Sequence, residues 1–165
     1  MLRVVSSFWA ISLIMAIVPF AFAQNPEFDS KLSGTWKSDW PLTKKHIDAE
    51  CKLTKDEISG LERLMGKMTV RYSGNYAVYT MPEIRFTMDG KDRVLEGSTS
   101  KEELNVIGRT KSQIAILSTS VSPSVYDDSI TLINFIDANT YWVYLGHSPL
   151  AGHHVREYFR RVSPK

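Results

Sequence analysis

The sequence is poor in cysteine and has no excess of either charge. Its only cysteine is Cys51, so no intramolecular disulfide can form and the fold depends on its hydrophobic core. The chain carries 20 lysines and arginines against 18 aspartates and glutamates. Because these charges nearly balance, no global field attracts a polyanion. We therefore expect no nucleic-acid partner.

Common catalytic motifs are also missing. The sequence has no Gly-x-Ser-x-Gly elbow, no Gly-x-Gly-x-x-Gly turn and no phosphate-binding loop, which removes the usual signals of hydrolases and nucleotide enzymes. His46 and Cys51 lie five residues apart, a spacing that fits a nucleophile and base on one helix face poorly. These absences favour a non-enzymatic protein and predict no cofactor.

Residues 1–23 have the pattern of a secretory signal peptide. A short positive start is followed by an uncharged apolar run that ends in the small-x-small motif Ala21-Phe22-Ala23, which signal peptidase recognises. A run of this length could instead be a membrane anchor, but Pro19 and the cleavage motif disfavour that alternative. We expect a mature protein of residues 24–165 in the periplasm or secreted, as one domain without a stable membrane anchor.

The mature sequence begins with one strand and a helical segment. Residues 33–40 alternate with period two, which predicts a strand with Trp36 on its inner face. Residues 43–65 have helical spacing, with Thr54 and Glu57 placed as a capping box. Gly66 is expected to end this segment in a left-handed conformation. The sequence therefore predicts one or two short helices after the first strand.

From Lys67 onward, short β-like runs alternate with turn residues as in an antiparallel meander. About nine strands in such a series favour a closed barrel or a sandwich, because an open sheet would leave exposed edges. Our prediction is a mainly β, antiparallel meander barrel with a short helical insertion between the first two strands. Runs 130–136 and 141–145 are apolar on both faces, which predicts an outer cover. The insertion could supply that cover or form a lid over one open end.

The first and last strands carry two short motifs. Gly34-Thr35-Trp36-Lys37 opens the first strand, and Arg156 and Tyr158 have an Arg-x-Tyr spacing near the C-terminus. Together with the meander, these motifs resemble the calycin barrels, meaning lipocalins, including small bacterial lipocalin-like envelope proteins, and intracellular fatty-acid-binding proteins. The resemblance covers most of residues 31–163 and implies a lipocalin-like barrel. It also implies that Arg156 and Tyr158 hold a ligand carboxylate.

Large side chains in the two end strands have a structural interpretation as well. Trp36 is large enough to close the narrow end of a barrel, and Gly34 allows a close approach to the backbone where the strand begins. An arginine stacked on the indole, Arg156 or Arg160, would join the last strand to the first. Gly34 and Trp36 are therefore predicted as a structural motif.

Ligand-binding candidates lie on the last strand and among the strand tyrosines. Alternation puts Arg156, Tyr158 and Arg160 on one face, which would either meet an acidic ligand inside the barrel or be solvated outside it. Tyr79 and Tyr141 would line an apolar pocket or simply pack within the sheet. The sequence thus predicts an exported binding protein for a small apolar or amphipathic ligand, which could carry a carboxylate.

Two other functions remain open. One is an envelope interaction or stress protein whose barrel is filled with side chains. The other is a metal carrier, for which the weak candidates are His147, His153 and His154 in the loop of residues 146–154, since neutral histidine is a common metal ligand. Their spacing matches no compact ligand motif, and a plain polar loop explains them equally. The oligomeric state is not predicted.

Overall fold

The computed structural model of the chain describes residues 30–88, 90–120, 128–145 and 151–163. These parts contain ten strands, two α-helices and a 3-10 turn at Ala151–His153. The elements in chain order are β1 (Gly34–Ser38), α1 (Trp40–Glu50), α2 (Lys55–Leu64), β2 (Thr69–Ser73), β3 (Tyr76–Met81), β4 (Ile84–Met88), β5 (Lys91–Leu95), β6 (Ser98–Arg109), β7 (Gln113–Ser120), β8 (Asp128–Asp137), β9 (Thr140–Tyr144) and β10 (Arg156–Ser163).

Eight of the ten strands form a closed antiparallel barrel. Their order around the barrel is β1-β10-β9-β8-β7-β6-β3-β2, and β1 closes it by pairing with both β2 and β10. Strands β4 and β5 form a separate hairpin between β3 and β6. The predicted mainly β barrel is confirmed; the described residues contain ten strands, against about nine expected, and eight of them form the barrel. Closure leaves no long sheet edge of the barrel unpaired.

The predicted helical insertion lies between β1 and β2. Helix α1 begins at Trp40, which the strand pattern had placed on β1; the Asp39 side chain caps the helix by accepting from the Leu42 backbone N–H at 2.9 Å. Helix α2 has the predicted capping box of Thr54 and Glu57. Because β1 ends and β2 begins next to the insertion, both helices lie at one end of the barrel, which we call the helix end.

Two hydrophobic clusters hold these elements together. The larger lies within the barrel around Trp36, whose ring centroid is 4.7 Å from that of Tyr141. The smaller joins the helices to the chain before β10 through Ile47, Leu61 and Val155. Within the described residues, no helix is long and apolar enough to span a bilayer. The barrel core and the helix–barrel contact are thus separate packing units.

The prediction that another element covers the outer face of the apolar runs is wrong for the first of them, residues 130–136. Helix α1 packs against β10, and α2 packs against β4. On β8, Ile130 is 68% exposed and Ile136 is 59% exposed, so no described element covers their outer face. Helix α1 lies against the first part of β10, where the Thr43 hydroxyl accepts from the Tyr158 backbone N–H at 3.0 Å.

Candidate functional site

The base of the barrel, opposite the helix end, is closed by Trp36 and an arginine. Trp36 is fully buried and its indole N–H donates to the Leu32 carbonyl at 2.8 Å. The Arg161 guanidinium carbon lies 4.1 Å from the indole ring centroid. Arg161 also donates to the backbone carbonyls of Ser33, Lys31 and Ala138. Arg161 therefore joins the last strand to the first, which is the role predicted for an arginine stacked on the indole.

The sequence had given that role to Arg156 or Arg160, which is wrong. In the register of β1 and β10, Trp36 pairs with Arg161, and a bulge shifts the pairing between Thr35 and Trp36. Gly34, at the start of β1, has a φ of +116°, a conformation that favours glycine. The predicted structural motif of Gly34 and Trp36 is therefore present, with a different arginine as its partner.

The predicted anchor face of β10 points away from the barrel interior. Glu157 and Phe159 are only 4% and 2% exposed, so alternation places Arg156, Tyr158 and Arg160 on the outer face. Of the two alternatives left open by the sequence, the interior and the outer face, the structure has these three side chains on the outer face, so they do not line the interior. Phe159 completes the inner aromatic cluster by stacking on Tyr141 at 4.9 Å between ring centroids, and this packing fixes which face turns inward.

The three outward residues instead join β10 to α1 and β9. The Arg156 guanidinium lies 4.5 Å from the Trp142 ring centroid and 3.6 Å from a Glu50 carboxylate oxygen. The Tyr158 ring centroid is 6.0 Å from that of His46. The Arg160 Nε lies 2.6 Å from an Asp39 carboxylate oxygen, although the arginine side chain is 59% exposed. These contacts give all three a structural role on the outside.

Tyr79 and Tyr141 do point inward and belong to a buried group of phenols. The Tyr141 and Tyr72 hydroxyl oxygens lie 3.3 Å apart. Burial raises the pKa of Tyr79, of Tyr72 and of Tyr141 above the ordinary range, and the Tyr79 hydroxyl also interacts with Glu102 and Tyr72. The phenols therefore remain protonated and can donate hydrogen bonds inside the barrel.

Sequence reasoning missed Glu157 as a candidate. The Ser38 hydroxyl donates to a Glu157 carboxylate oxygen at 2.5 Å and accepts from the Gly66 backbone N–H at 2.7 Å. Burial raises the pKa of Glu157, and the hydrogen bond from Ser38 opposes that rise. Its position two residues before Phe159 was the available signal, because alternation gives both residues the same face.

A cavity of about 440 Å³ opens at the helix end. Residues from two barrel strands and from the chain beside them line it: Met68 before β2, Tyr79 and Met81 on β3, Leu95 at the end of β5, Glu96 after it, and Ser98, Ser100 and Glu102 on β6. The Met68 carbonyl accepts from the Ser38 backbone N–H at 2.9 Å. This bond connects Ser38, the partner of Glu157, to a residue of the cavity wall.

The histidine candidates do not come together as a metal site in the described residues. His147 lies outside the described residues. The His154 carbonyl oxygen lies 3.2 Å from the His46 Nε2 atom, and no group of three or more histidine, cysteine, aspartate or glutamate side chains there has a metal-binding arrangement. His153 ends the 3-10 turn. This geometry adds no support to a metal carrier.

Cys51 comes near His46 despite the unfavourable spacing. The Cys51 sulfur lies 3.7 Å from the His46 Nε2 atom. Burial, followed by the nearby Glu50 charge, raises the pKa of the Cys51 thiol. Since the thiolate is the nucleophile, this environment disfavours Cys-His catalysis.

Comparisons of the chain with protein-family models, curated proteins and solved structures give no match. At the level of a closed, eight-stranded antiparallel barrel, the structure agrees with the calycin resemblance. A fold does not specify an activity. The cavity and its chemical groups are therefore the features that bear on function.

Proposed function

We propose that the chain is an exported, non-enzymatic binding protein that takes a small amphipathic ligand into the helix end of a lipocalin-like barrel. The observation that carries this proposal is the cavity of about 440 Å³ formed by inward residues of β3 and β6. Its volume lies within the range of small-molecule sites, which combine apolar walls with a few polar groups. Met68 and Met81 supply apolar wall, and Tyr79 and Glu102 supply polar groups.

The polar groups favour a ligand head that is neutral or positively charged. The residues that line the cavity include two glutamates and no lysine or arginine. The arginines expected to bind a carboxylate lie outside the barrel, as described above. A carboxylate would have no cationic partner among these residues, whereas an alcohol, amide or amine could pair with Tyr79 or Glu102. We therefore propose an uncharged or cationic head group.

The wall formed by the hairpin is attached to the helices by few contacts. The Arg63 guanidinium carbon of α2 lies 5.5 Å from the Phe86 ring centroid of β4. Every residue of β5 is exposed. Elements with few buried contacts open at low free-energy cost, so the hairpin is suited to admit a ligand beside Leu95.

A second candidate function has its own supporting observation. Close packing of Trp36, Tyr141 and Phe159 fills the base half of the barrel, as expected of an interaction protein that holds no ligand. The exposed side chains of Ile130 and Ile136 on β8 would then provide a contact surface. This candidate predicts that no small molecule binds in the helix-end cavity.

Fluorescence titration with the neutral amphiphile N-phenyl-1-naphthylamine tests the binding proposal. Ser100→Trp fills the cavity from β6 and should weaken the affinity for the probe about tenfold or more, because the indole takes the space in which the probe makes its apolar contacts. Asn105→Trp puts the same side chain on the exposed outer face of the same strand and is the matched control. Equal affinities for the two variants and the unmodified protein would exclude this cavity as the site.

The export proposal has a separate test. Intact-mass measurement of the protein purified from its native envelope fraction should give a chain that starts at Gln24, because cleavage is expected after Ala23. Retention of Met1 in a membrane fraction would contradict signal cleavage and leave the cavity proposal untouched.

A further inference from the structure

A second pocket lies at the base of the barrel, at the opposite end from the helices. Its volume is about 560 Å³. It is bordered by the β6–β7 turn, the β8–β9 turn and the chain just before β1. The lining residues that matter for a ligand are Lys31, Lys111, Phe135, Ile136, Ala138 and Arg161. Neither the sequence motifs nor the proposed function uses this pocket.

The floor of the pocket is apolar and rigidly supported. Phe135 packs edge-on against the buried Trp36, with 6.2 Å between ring centroids. Ile136 next to it is 59% exposed, so its side chain is available to a bound molecule. Ala138 is small and lies in the β8–β9 turn. A ligand with an apolar body would therefore remove apolar surface from water here.

The rim of the pocket is predominantly basic. Three cationic side chains line the pocket, those of Lys31, Lys111 and Arg161, and the one carboxylate among the lining residues is that of Asp137. Asp137 is engaged within its own turn, where its carboxylate accepts from the Asn139 backbone N–H at 2.7 Å. The rim charge thus favours an anion.

Hydrogen bonds fix the position of two of these cations. The Arg161 guanidinium donates to carbonyl oxygens, including that of Ala138, and these bonds leave its positive charge in place. The Lys31 ammonium donates to the Lys111 carbonyl at 2.9 Å, which joins the chain before β1 to the β6–β7 turn. Ordered cations above an apolar floor give a ligand both orientation and burial.

From this arrangement we propose that the base pocket binds a small organic anion with an apolar body, such as an aryl or short alkyl carboxylate or sulfonate. The apolar body contacts Phe135 and Ile136, and the anionic group faces Lys31 and Lys111. This site differs from the helix-end cavity in position and in charge. An experiment can therefore contradict binding at the base pocket without affecting the function proposed for the helix-end cavity.

The probe for this site is 1-anilinonaphthalene-8-sulfonate, titrated against the full chain by fluorescence. Lys111→Glu reverses one rim charge and should weaken the probe about tenfold at low salt. Because Lys111 is exposed, this change should leave folding intact, which a thermal melt checks. Ala138→Trp fills the pocket without changing charge and should weaken the probe by a similar factor or more.

Matched measurements separate this site from the first cavity. Ser100→Trp at the helix end should leave affinity for the sulfonate probe unchanged, while the neutral probe N-phenyl-1-naphthylamine should be insensitive to Lys111→Glu. Raising the salt concentration from 0.01 M to 0.15 M should weaken the sulfonate probe severalfold, since the Debye length falls from about 30 Å to about 8 Å.

Two results would overturn the proposal. The first is a sulfonate affinity that Lys111→Glu and Ala138→Trp leave unchanged. The second is loss of the sulfonate probe in Ser100→Trp alone, which would assign the probe to the helix end.

Discussion

Trp36 and Arg161 show how a single pair of residues closes one end of the barrel. The arginine covers the indole ring and donates to carbonyl oxygens of the chain before β1, including Ser33. Arg160, its neighbour, makes an ion pair with Asp39 on the outer face. Two adjacent arginines thus have different roles, because one is stacked and multiply bonded while the other pairs at the surface.

We predict that Arg161→Lys lowers the free energy of unfolding by about 1–3 kcal/mol, as expected when charged hydrogen bonds and a stacked plane are lost. Arg160→Lys should change it by less than about 1 kcal/mol, because its ion pair is exposed. Urea denaturation of both variants measures the difference. Similar losses from the two substitutions would contradict the structural role given to Arg161.

Glu157 has the most unusual environment of the described carboxyl groups. It is 4% exposed, and the Ser38 hydroxyl donates to it. Because burial raises its pKa in the folded state, the folded protein holds this proton to a higher pH than the unfolded chain does. Its contribution to stability is therefore present below the unfolded pKa of about 4.3 and is lost as pH rises through the raised folded pKa.

Glu157→Gln should remove that pH dependence, since glutamine can accept the Ser38 hydrogen bond without ionising. We expect the variant to be more stable than the unmodified protein at pH values above the raised pKa and to lose less stability between about pH 4 and pH 8. Urea denaturation across this range measures the effect, with the exposed Glu62→Gln as control. Parallel curves for all three proteins would show that Glu157 is not responsible.

Among the elements, the helical insertion depends on one glycine. Gly66, just after α2, has a φ of +78°, and a Cβ built on it would lie 2.8 Å from the Trp40 Cβ. Its backbone N–H also donates to Ser38, which connects the end of the insertion to the barrel. The predicted left-handed residue is therefore confirmed, and its close contact with α1 adds a second requirement for glycine.

The β2–β3 turn offers a matched comparison for Gly66. Gly74 has a φ of +55°, and nothing lies within 4 Å of a Cβ built there. We predict that Gly74→Ala lowers the free energy of unfolding by about 1 kcal/mol through backbone strain alone. Gly66→Ala should lower it by a further 1–3 kcal/mol or so, since overpacking adds to that strain. Equal effects in chemical denaturation would argue against the Trp40 contact.

For the whole molecule, the structure divides the barrel into a packed base and an open helix end. Large side chains fill the base around Trp36 and Tyr141. Serines and glutamates such as Ser100 and Glu102 line the open end. The hairpin of β4 and β5 stands outside the barrel ladder. Stability should therefore be concentrated at the base, leaving the helix end available for binding.

Native-state hydrogen exchange should reveal this division. Backbone amides of β9 and β10 around Tyr141 and Phe159 are expected to exchange only through global unfolding, whereas those of Lys91–Leu95 should exchange through local opening. Site-resolved exchange measured by NMR distinguishes the two. Protection of β5 equal to that of β10 would contradict the proposal that the hairpin opens to admit a ligand.

The sequence by itself determined the features that depend on neighbouring residues. The capping box of Thr54 and Glu57, the left-handed Gly66 and the burial of Trp36 all follow from local geometry or from the size of one side chain, and the structure contains each of them. Period-two alternation also gave the barrel class, because strands with turn residues between them pair with their neighbours in a meander.

Only the tertiary structure decided which face of β10 turns inward. Alternation divides the side chains of β10 into two sets, one on each face, and each set contains both polar and apolar residues. Neither set is apolar enough to identify the face that turns toward the core. Stacking of Phe159 on Tyr141 and of Arg161 on Trp36 turns Glu157 inward and Tyr158 outward. These contacts join residues far apart in the chain, and local pattern carries no information about them. For the same reason, both pockets became visible only once the barrel had closed.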